Sequence, residues 1–124
     1  NERHFNLDLD DDGEIDFAGT HFGSPRNRLT FRDNLRQSVS DLIYLTRTIP
    51  VIELPDATGL AFDPDRIHYV SLSLGSMVGT MLAGVNDDIN AFSLSAPGGG
   101  ITKFNEGSPN SNADVLAAAA ALGQ

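Results

Sequence analysis

The sequence predicts an α/β fold in which parallel strands are joined by crossover helices. Apolar residues recur at helical spacing over residues 30–49 and again from Leu74 onward. Two short segments rich in β-formers, 66–72 and 89–96, alternate with these helical patterns. The second segment carries no charge, which is typical of a buried parallel strand. With 124 residues, we expect one domain at most.

The composition excludes several function classes. The chain has 17 Asp and Glu against 8 Lys and Arg, a formal charge of −9. Binding to nucleic acid or to an anionic membrane surface needs a basic face, so the charge argues against both, whereas acidity suits a cation ligand or plain solubility. No apolar run approaches the roughly 18–20 residues of a transmembrane segment, and the absence of cysteine excludes disulfides.

We expect residues 1–29 to form an acidic loop region and residues 30–124 to form the core. The first part is polar and rich in turn formers, and the chain opens on Asn1, as a piece excised from a parent protein would. Thr30, with Asp33 after it, is expected to cap the first helix, and Pro50 is expected to end it. Its buried face is predicted to contain Leu35, Val39, Leu42, Ile43, Thr46 and Ile49.

After a linker at 55–64, the strand at 66–72 leads into a helix from Leu74, in which Gly75, Gly79 and Ala83 recur at four-residue spacing. Glycine inside a helix costs roughly 0.5–1 kcal/mol, so a helix that tolerates it gains close approach to another backbone. We therefore expect this helix to pack on the sheet. A second strand at 89–96 ends at the "PGGG" segment. A helix capped by Ser111 or Asn112 then runs to Leu122 and is closed by Gly123.

The corner between the first strand and its helix holds Ser73, within "SLSLG". A strand, a tight turn at serine and a helix are the context of a nucleophile elbow, which points a hydroxyl at the positive end of a helix dipole. Small residues two before and two after the serine, here Ser71 and Gly75, let strand and helix pass closely. The alternative is a plain turn in which Ser73 is a loop or cap residue.

Three segments, "RDNLRQSVSDLIYLTRTI", "DPDRIHYVSLSLGSMVGT" and "AFSLSAPGGGI", together resemble bacterial secreted or surface-attached lipases and esterases of the α/β-hydrolase type. An acidic stretch like "DLDDDGEID" also precedes the helix in those proteins. The resemblance implies a partial α/β-hydrolase core, an ester or lipid substrate and a secreted or cell-surface location. It also implies that Ser73 is the nucleophile and that the backbone N–H of Leu74 is half of the oxyanion hole. Ser71 replaces the first glycine of the usual G-x-S-x-G pattern, and Leu72 replaces the usual polar neighbour of the serine.

In this fold the triad acid and histidine follow the serine in the sequence. The histidines here are His4, His21 and His68, and all precede Ser73. The acids after the second strand are Glu106 and Asp114. We therefore expect an incomplete hydrolase that is inactive alone, with its base in the rest of the parent chain.

The acidic segment predicts a possible Ca²⁺ site. Asp8, Asp10, Asp12 and Asp16 occupy positions 1, 3, 5 and 9 of a calcium-loop pattern, with Gly13 at position 6. Position 12 is Gly19, which excludes a complete EF-hand but leaves a looser site or a solvated acidic turn.

Two functional alternatives to the hydrolase stay open. One is a non-catalytic calcium-binding or interaction module with a degenerate hydrolase fold. The other is a different doubly wound protein in which Ser73 binds a ligand.

Overall fold

The computed structural model describes residues 6–8, 11–23, 28–53, 59–100, 103, 106–109 and 112–121. Within them the chain is a mixture of helices and a two-stranded parallel sheet, which is compatible with the predicted α/β class. In chain order the elements are α1 (Ala18–Phe22), α2 (Arg28–Thr48), β1 (His68–Leu72), α3 (Leu74–Ala83), β2 (Ala91–Ser95) and α4 (Asn112–Ala121).

The chain divides into two compact units, Asn1–Asn34 with Gly100–Gln124, and Leu35–Gly99. The first unit holds the acidic turn, α1, the start of α2, and α4. The side-chain amide of Asn34 donates a hydrogen bond to the Phe22 carbonyl oxygen at 3.1 Å, which joins α2 to the end of α1 in this unit. The predicted cap Ser111 and the predicted end at Leu122 and Gly123 lie outside the described residues.

The prediction that Thr30 caps the first helix is wrong. Helix α2 begins at Arg28, so Thr30 lies inside it, and Asp33 accepts hydrogen bonds from the neighbouring Arg32 at 2.8 and 3.0 Å. Arg28 and Leu29 are good helix formers, and they carry the helix upstream of the threonine. The expected loop region also contains a short helix, α1.

The predicted buried face of α2 is confirmed in the second unit. Leu35 and Thr46 are buried, and the other predicted positions are half-buried: Val39, Leu42, Ile43 and Ile49. On the opposite face, the Tyr44 side chain is largely exposed. The helix ends at Thr48, and Pro50 lies in the 3-10 turn that follows it (Ile49–Val51). The prediction that the helix ends at Pro50 is therefore confirmed to within two residues.

Strands β1 and β2 pair in parallel, from His68↔Ala91 to Leu72↔Ser95. Both strands are shorter than predicted, because the residues just before them belong to turns and loops rather than to the regular ladder. Ile67 exchanges bonds of 2.8 Å with Asn90 before β1 begins, and Arg66 belongs to a 3-10 turn, Pro64–Arg66.

Helix α3 packs on one face of this sheet, as its glycines predicted. A Cβ on Gly79 would lie 2.5 Å from Tyr69 Cε1 and 2.8 Å from Leu94 Cδ2, so a larger residue would force these side chains to shift. Met77, Val78 and Leu82 are buried on the same helix. Ala83 is exposed, so the predicted close approach does not extend to it.

The expectation that the second strand is buried is wrong for the part of the chain that the structure describes, because Ala91, Ser93 and Ser95 of β2 are exposed. Both strands alternate between half-buried and exposed residues. Val70 is 78% and Leu72 69% exposed, because α3 covers only the face that carries Tyr69 and Ser71. A lack of charged residues in a segment therefore does not show that both faces of the strand are buried.

Candidate active site

The predicted corner is confirmed in position and in strain. Ser73 lies between the last residue of β1 and the first of α3, with φ 52° and ψ −118°. A positive φ is uncommon outside glycine, and this ψ is far from the small left-handed region that such residues favour. Strain of this kind persists where the surroundings over-determine the backbone, and it is concentrated at functional sites.

The backbone of Ser73 is held from two sides. Its N–H donates to the Ser95 carbonyl oxygen at 3.0 Å, which ties the corner to β2. Its own carbonyl oxygen accepts from the N–H groups of Ser76 at 2.8 Å and Met77 at 3.1 Å, which starts α3. These bonds fix the strained residue between the sheet and the helix.

Ser73 occupies the N-cap position of α3, but its side chain does not cap the helix. A capping serine has extended dihedral angles, and its hydroxyl accepts a bond from an N–H in the first turn. Ser73 has neither: its φ is positive and its side chain makes no cap hydrogen bond. The residue is exposed, so its hydroxyl is accessible from solvent. The cap interpretation is therefore disfavoured.

The Leu74 N–H has a suitable position for the oxyanion role that the resemblance implies. It belongs to the first residue of α3, where helix geometry leaves N–H groups without intrahelical acceptors. The helix dipole adds partial positive charge at this end. Negative charge that develops on a carbonyl oxygen during attack by the Ser73 hydroxyl would be stabilised at this end of the helix.

Residue 71, which is glycine in the usual elbow pattern, is a serine with a specific partner. Ser71 Oγ lies 3.0 Å from Ser76 Oγ, and Ser76 is fully buried. A Cβ on Gly75 would be 3.3 Å from Ser71 Cβ, so the glycine makes room for this serine. The small residue two positions before Ser73 thus joins strand to helix through a hydroxyl pair.

Sequence analysis did not identify Tyr69 as part of the site. Its hydroxyl donates to the Gly75 carbonyl oxygen at 2.8 Å, and its ring lies against Gly79. The ring also contacts Phe92 of β2, with centroids 5.7 Å apart. The available signal is period two on β1, because Tyr69 and Ser71 alternate with the exposed Val70 and Leu72. Ser76 is not identified from the sequence, because the helix is predicted from the spacing of its apolar residues, and that spacing says nothing about serine side chains.

The carboxyl ends of the two strands meet at one edge of the sheet because the strands are parallel. Ser73 follows β1 there and Ala96 follows β2, and both have a positive φ, 52° and 51°. Ligands of open α/β sheets bind outside the carboxyl ends of the strands. Two non-glycine residues with a positive φ at the same edge of the sheet therefore agree with a site around Ser73.

The described residues of the second unit bring no histidine to Ser73. His68 is exposed at the other end of β1, five residues before Ser73 and roughly 16 Å away along an extended strand. His21 lies in α1, in the first unit, and His4 lies outside the described residues. Glu106 is exposed and Asp114 lies in α4, both in the first unit.

The acidic segment forms a tight turn. The Asp8 carboxylate accepts hydrogen bonds from the N–H groups of Asp12 at 3.2 Å and Gly13 at 2.9 Å. Gly13 has φ +89°, which supports the prediction that glycine permits the turn, and the Asp16 N–H donates to the Leu7 carbonyl oxygen at 2.9 Å. Asp10 lies outside the described residues.

A fit to calcium needs several carboxylates at one point. Among the residues described, no group of three or more His, Cys, Asp or Glu side chains is arranged to hold a metal ion. The turn therefore supplies the bend of the calcium-loop pattern but not, from described residues alone, its ligand set.

Two cavities among the described residues of the second unit lie away from the corner. One of about 440 Å³ is lined by Ile49, Phe62, Asp63, Arg66, Ile67 and His68. It lies at the amino end of β1, where an ion pair of 2.6 Å joins Arg66 to Asp63. Since the strain and the accessible hydroxyl are at the carboxyl end, we assign the candidate site to Ser73 and not to this cavity.

No protein-family model, curated protein or solved structure matches this chain. Within the described parts of the chain, no helix has both the length and the apolar character needed to cross a membrane.

Proposed function

We propose that this chain carries the nucleophile elbow of a carboxylic-ester hydrolase, a lipase or esterase with a partial α/β-hydrolase core. The observation that carries the proposal is the backbone of Ser73. It has φ 52° and ψ −118° between a strand and a helix, with no side-chain cap bond. This arrangement is costly for serine and has no capping benefit, whereas it suits a hydroxyl that must project from the sheet edge.

The proposed reaction is acyl transfer in two steps. The Ser73 hydroxyl oxygen attacks the ester carbonyl carbon while a base takes its proton, and the Leu74 N–H donates to the oxyanion. The protonated base then gives its proton to the leaving alcohol as the C–O bond breaks, which leaves an acyl-enzyme. Water attacks the acyl carbon in the second step and releases the acid and free Ser73.

The proposal assigns the base and the triad acid to residues of a longer parent protein. The reason is the resemblance, in which the triad acid and histidine follow the serine, whereas no histidine follows Ser73 here and His68 is at the far end of β1. From the resemblance to bacterial secreted or surface-attached lipases and esterases, we also propose an ester or lipid substrate and a secreted or cell-surface location.

The test uses the parent protein and a serine-directed phosphonate probe. We expect the probe to modify Ser73, identified by peptide mass spectrometry, and Ser73→Ala to remove both labelling and ester hydrolysis. The expected loss in kcat is on the order of 10⁴-fold or more, because a nucleophile cannot be replaced by its neighbours. Ser93→Ala, at an exposed position on β2, is the matched control and should keep full activity. Equal hydrolysis by wild type and Ser73→Ala would refute the proposal.

We also propose Ca²⁺ as a ligand of the acidic turn, independently of the hydrolase. The supporting observation is that Asp8 already gathers the amides of Asp12 and Gly13. If Ser73 proves unreactive while calcium binds, the non-catalytic calcium-binding module becomes the better interpretation. If neither occurs, a doubly wound protein that uses Ser73 to bind a ligand is left.

A further inference from the structure

We infer that Tyr69 is a positioning residue for the Ser73 corner. The inference rests on the proposed function, because the position of the corner matters for chemistry only if Ser73 is the nucleophile. The observation behind it is a hydrogen bond of 2.8 Å from the Tyr69 hydroxyl to the carbonyl oxygen of Gly75, across the corner from strand to helix.

The ring of Tyr69 and its hydroxyl act on the same turn of α3. A Cβ built on Gly79 would lie only 2.5 Å from Tyr69 Cε1, so the ring packs closely against the helix at this glycine. In α-helical geometry the Gly75 carbonyl also accepts from the Gly79 N–H, one turn later. Tyr69 therefore contacts both ends of one helical hydrogen bond.

This contact fixes the angle between β1 and α3. Tyr69 belongs to β1, the strand that enters the corner, and Gly75 belongs to the first turn of the helix that leaves it. The strained dihedral angles of Ser73 lie between these two anchors, and a relaxed first turn would let them move toward an unstrained region. The Leu74 N–H, in the same first turn, would then no longer point toward the oxyanion.

Tyr69→Phe is the decisive variant, because it keeps the ring on Gly79 and removes only the hydroxyl. The matched control is Tyr44→Phe, which makes the same change on the exposed face of α2. Amide hydrogen exchange of the 124-residue chain, followed by NMR, gives a readout that does not depend on activity. We expect exchange at Val78 and Gly79 to rise about fivefold in Tyr69→Phe and to stay unchanged in Tyr44→Phe.

Exchange also separates positioning from a general loss of stability. A uniform rise over β1, β2 and α3, or no rise at all, would overturn the inference. Should Tyr69→Phe not fold, the wild-type chain decides the question through the hydroxyl proton of Tyr69. We expect that proton to exchange with water more slowly than that of Tyr44. Equal rates would overturn the inference.

In the parent protein we expect Tyr69→Phe to lower kcat about fivefold with KM unchanged. That is about 1 kcal/mol of transition-state stabilisation at about 1.36 kcal/mol per factor of ten. A rise in KM alone would overturn a positioning role. If even the wild-type parent hydrolyses no ester, the proposed function fails, while the exchange result still reports whether Tyr69 braces the corner.

Discussion

Ser71 and Ser76 face each other across the corner, with their hydroxyl oxygens 3.0 Å apart and Ser76 fully buried. This pair explains how a serine is accommodated where the usual elbow pattern has glycine. Its hydroxyl satisfies a buried group of α3, and the missing side chain of Gly75 leaves the space.

The hydroxyl pair predicts a coupled loss of stability. Ser71→Ala leaves the buried Ser76 hydroxyl without this partner, so the free energy of unfolding should fall by about 1–3 kcal/mol. Adding Ser76→Ala should cost less than the two single changes together, which urea unfolding measures as a double-mutant cycle. Ser93→Ala, on the exposed face of β2, should change little. Strictly additive effects would contradict the pairing.

Close approach at Gly79 predicts that alanine is harmful there. In an exposed helix Gly→Ala gains roughly 1 kcal/mol, but here the new Cβ meets Tyr69 and Leu94 at 2.5 and 2.8 Å. We expect Gly79→Ala to lower the free energy of unfolding by about 1–3 kcal/mol. Gly19→Ala in α1 is the control, because nothing lies within 4 Å of its Cβ position, and it should be neutral or stabilising. A more stable Gly79→Ala would disprove the packing.

Strain at Ser73 predicts that glycine stabilises this position. Glycine adopts a positive φ freely, so Ser73→Gly should be about 1 kcal/mol more stable than Ser73→Ala after the entropy cost of glycine is deducted. Thermal unfolding of both variants measures the difference. At Ser93, which is not among the positive-φ residues, the order should reverse. If alanine were the better residue at both positions, Ser73 would carry no strain.

Calcium binding at the acidic turn predicts a rise in Tm. A ligand that binds only the folded state at about 100 times its Kd adds about 2.7 kcal/mol to the free energy of unfolding. Asp8→Asn should lose this gain, whereas Asp87→Asn removes the same charge from an exposed site outside the turn and should keep it. Isothermal titration without heat at millimolar calcium would leave the solvated-turn interpretation.

The 124-residue chain alone should hydrolyse no ester above background. A serine hydroxyl is a weak nucleophile without an adjacent base, and His68 is at the wrong end of β1. A p-nitrophenyl ester assay compares this chain with the parent protein. A parent-like rate that Ser73→Ala abolishes would mean that a base exists within these residues, and His68→Ala and His21→Ala would then identify it.

The corner could be predicted from the sequence because its signals are local. The change from β-formers to helical spacing occurs at Ser73, and the helix glycines indicate close packing on the sheet. The contacts of Tyr69 with Gly75 and of Ser71 with Ser76 could not be predicted, because they depend on how α3 crosses the strands. Periodicity gives the face of an element and not the atoms that meet there.

Other errors have a similar origin. The uncharged second strand predicted a buried strand, but burial is set by the elements that pack on a strand, and Ala91, Ser93 and Ser95 of β2 stay exposed. The cap at Thr30 failed because capping residues are also tolerated inside helices when the residues before them favour helix.

The parallel register of β1 and β2 has a consequence for how this part of the chain folds. From His68↔Ala91 to Leu72↔Ser95, every pair joins residues 23 positions apart in the sequence. Once any one pair forms, the chain between the strands is closed, and the remaining pairs add contacts at no further loop-closure cost. Because α3 lies within that closed segment and packs on both strands, we expect the two strands and the helix to form and to be lost together. The strained corner is therefore assembled in the same step as the contacts that hold it.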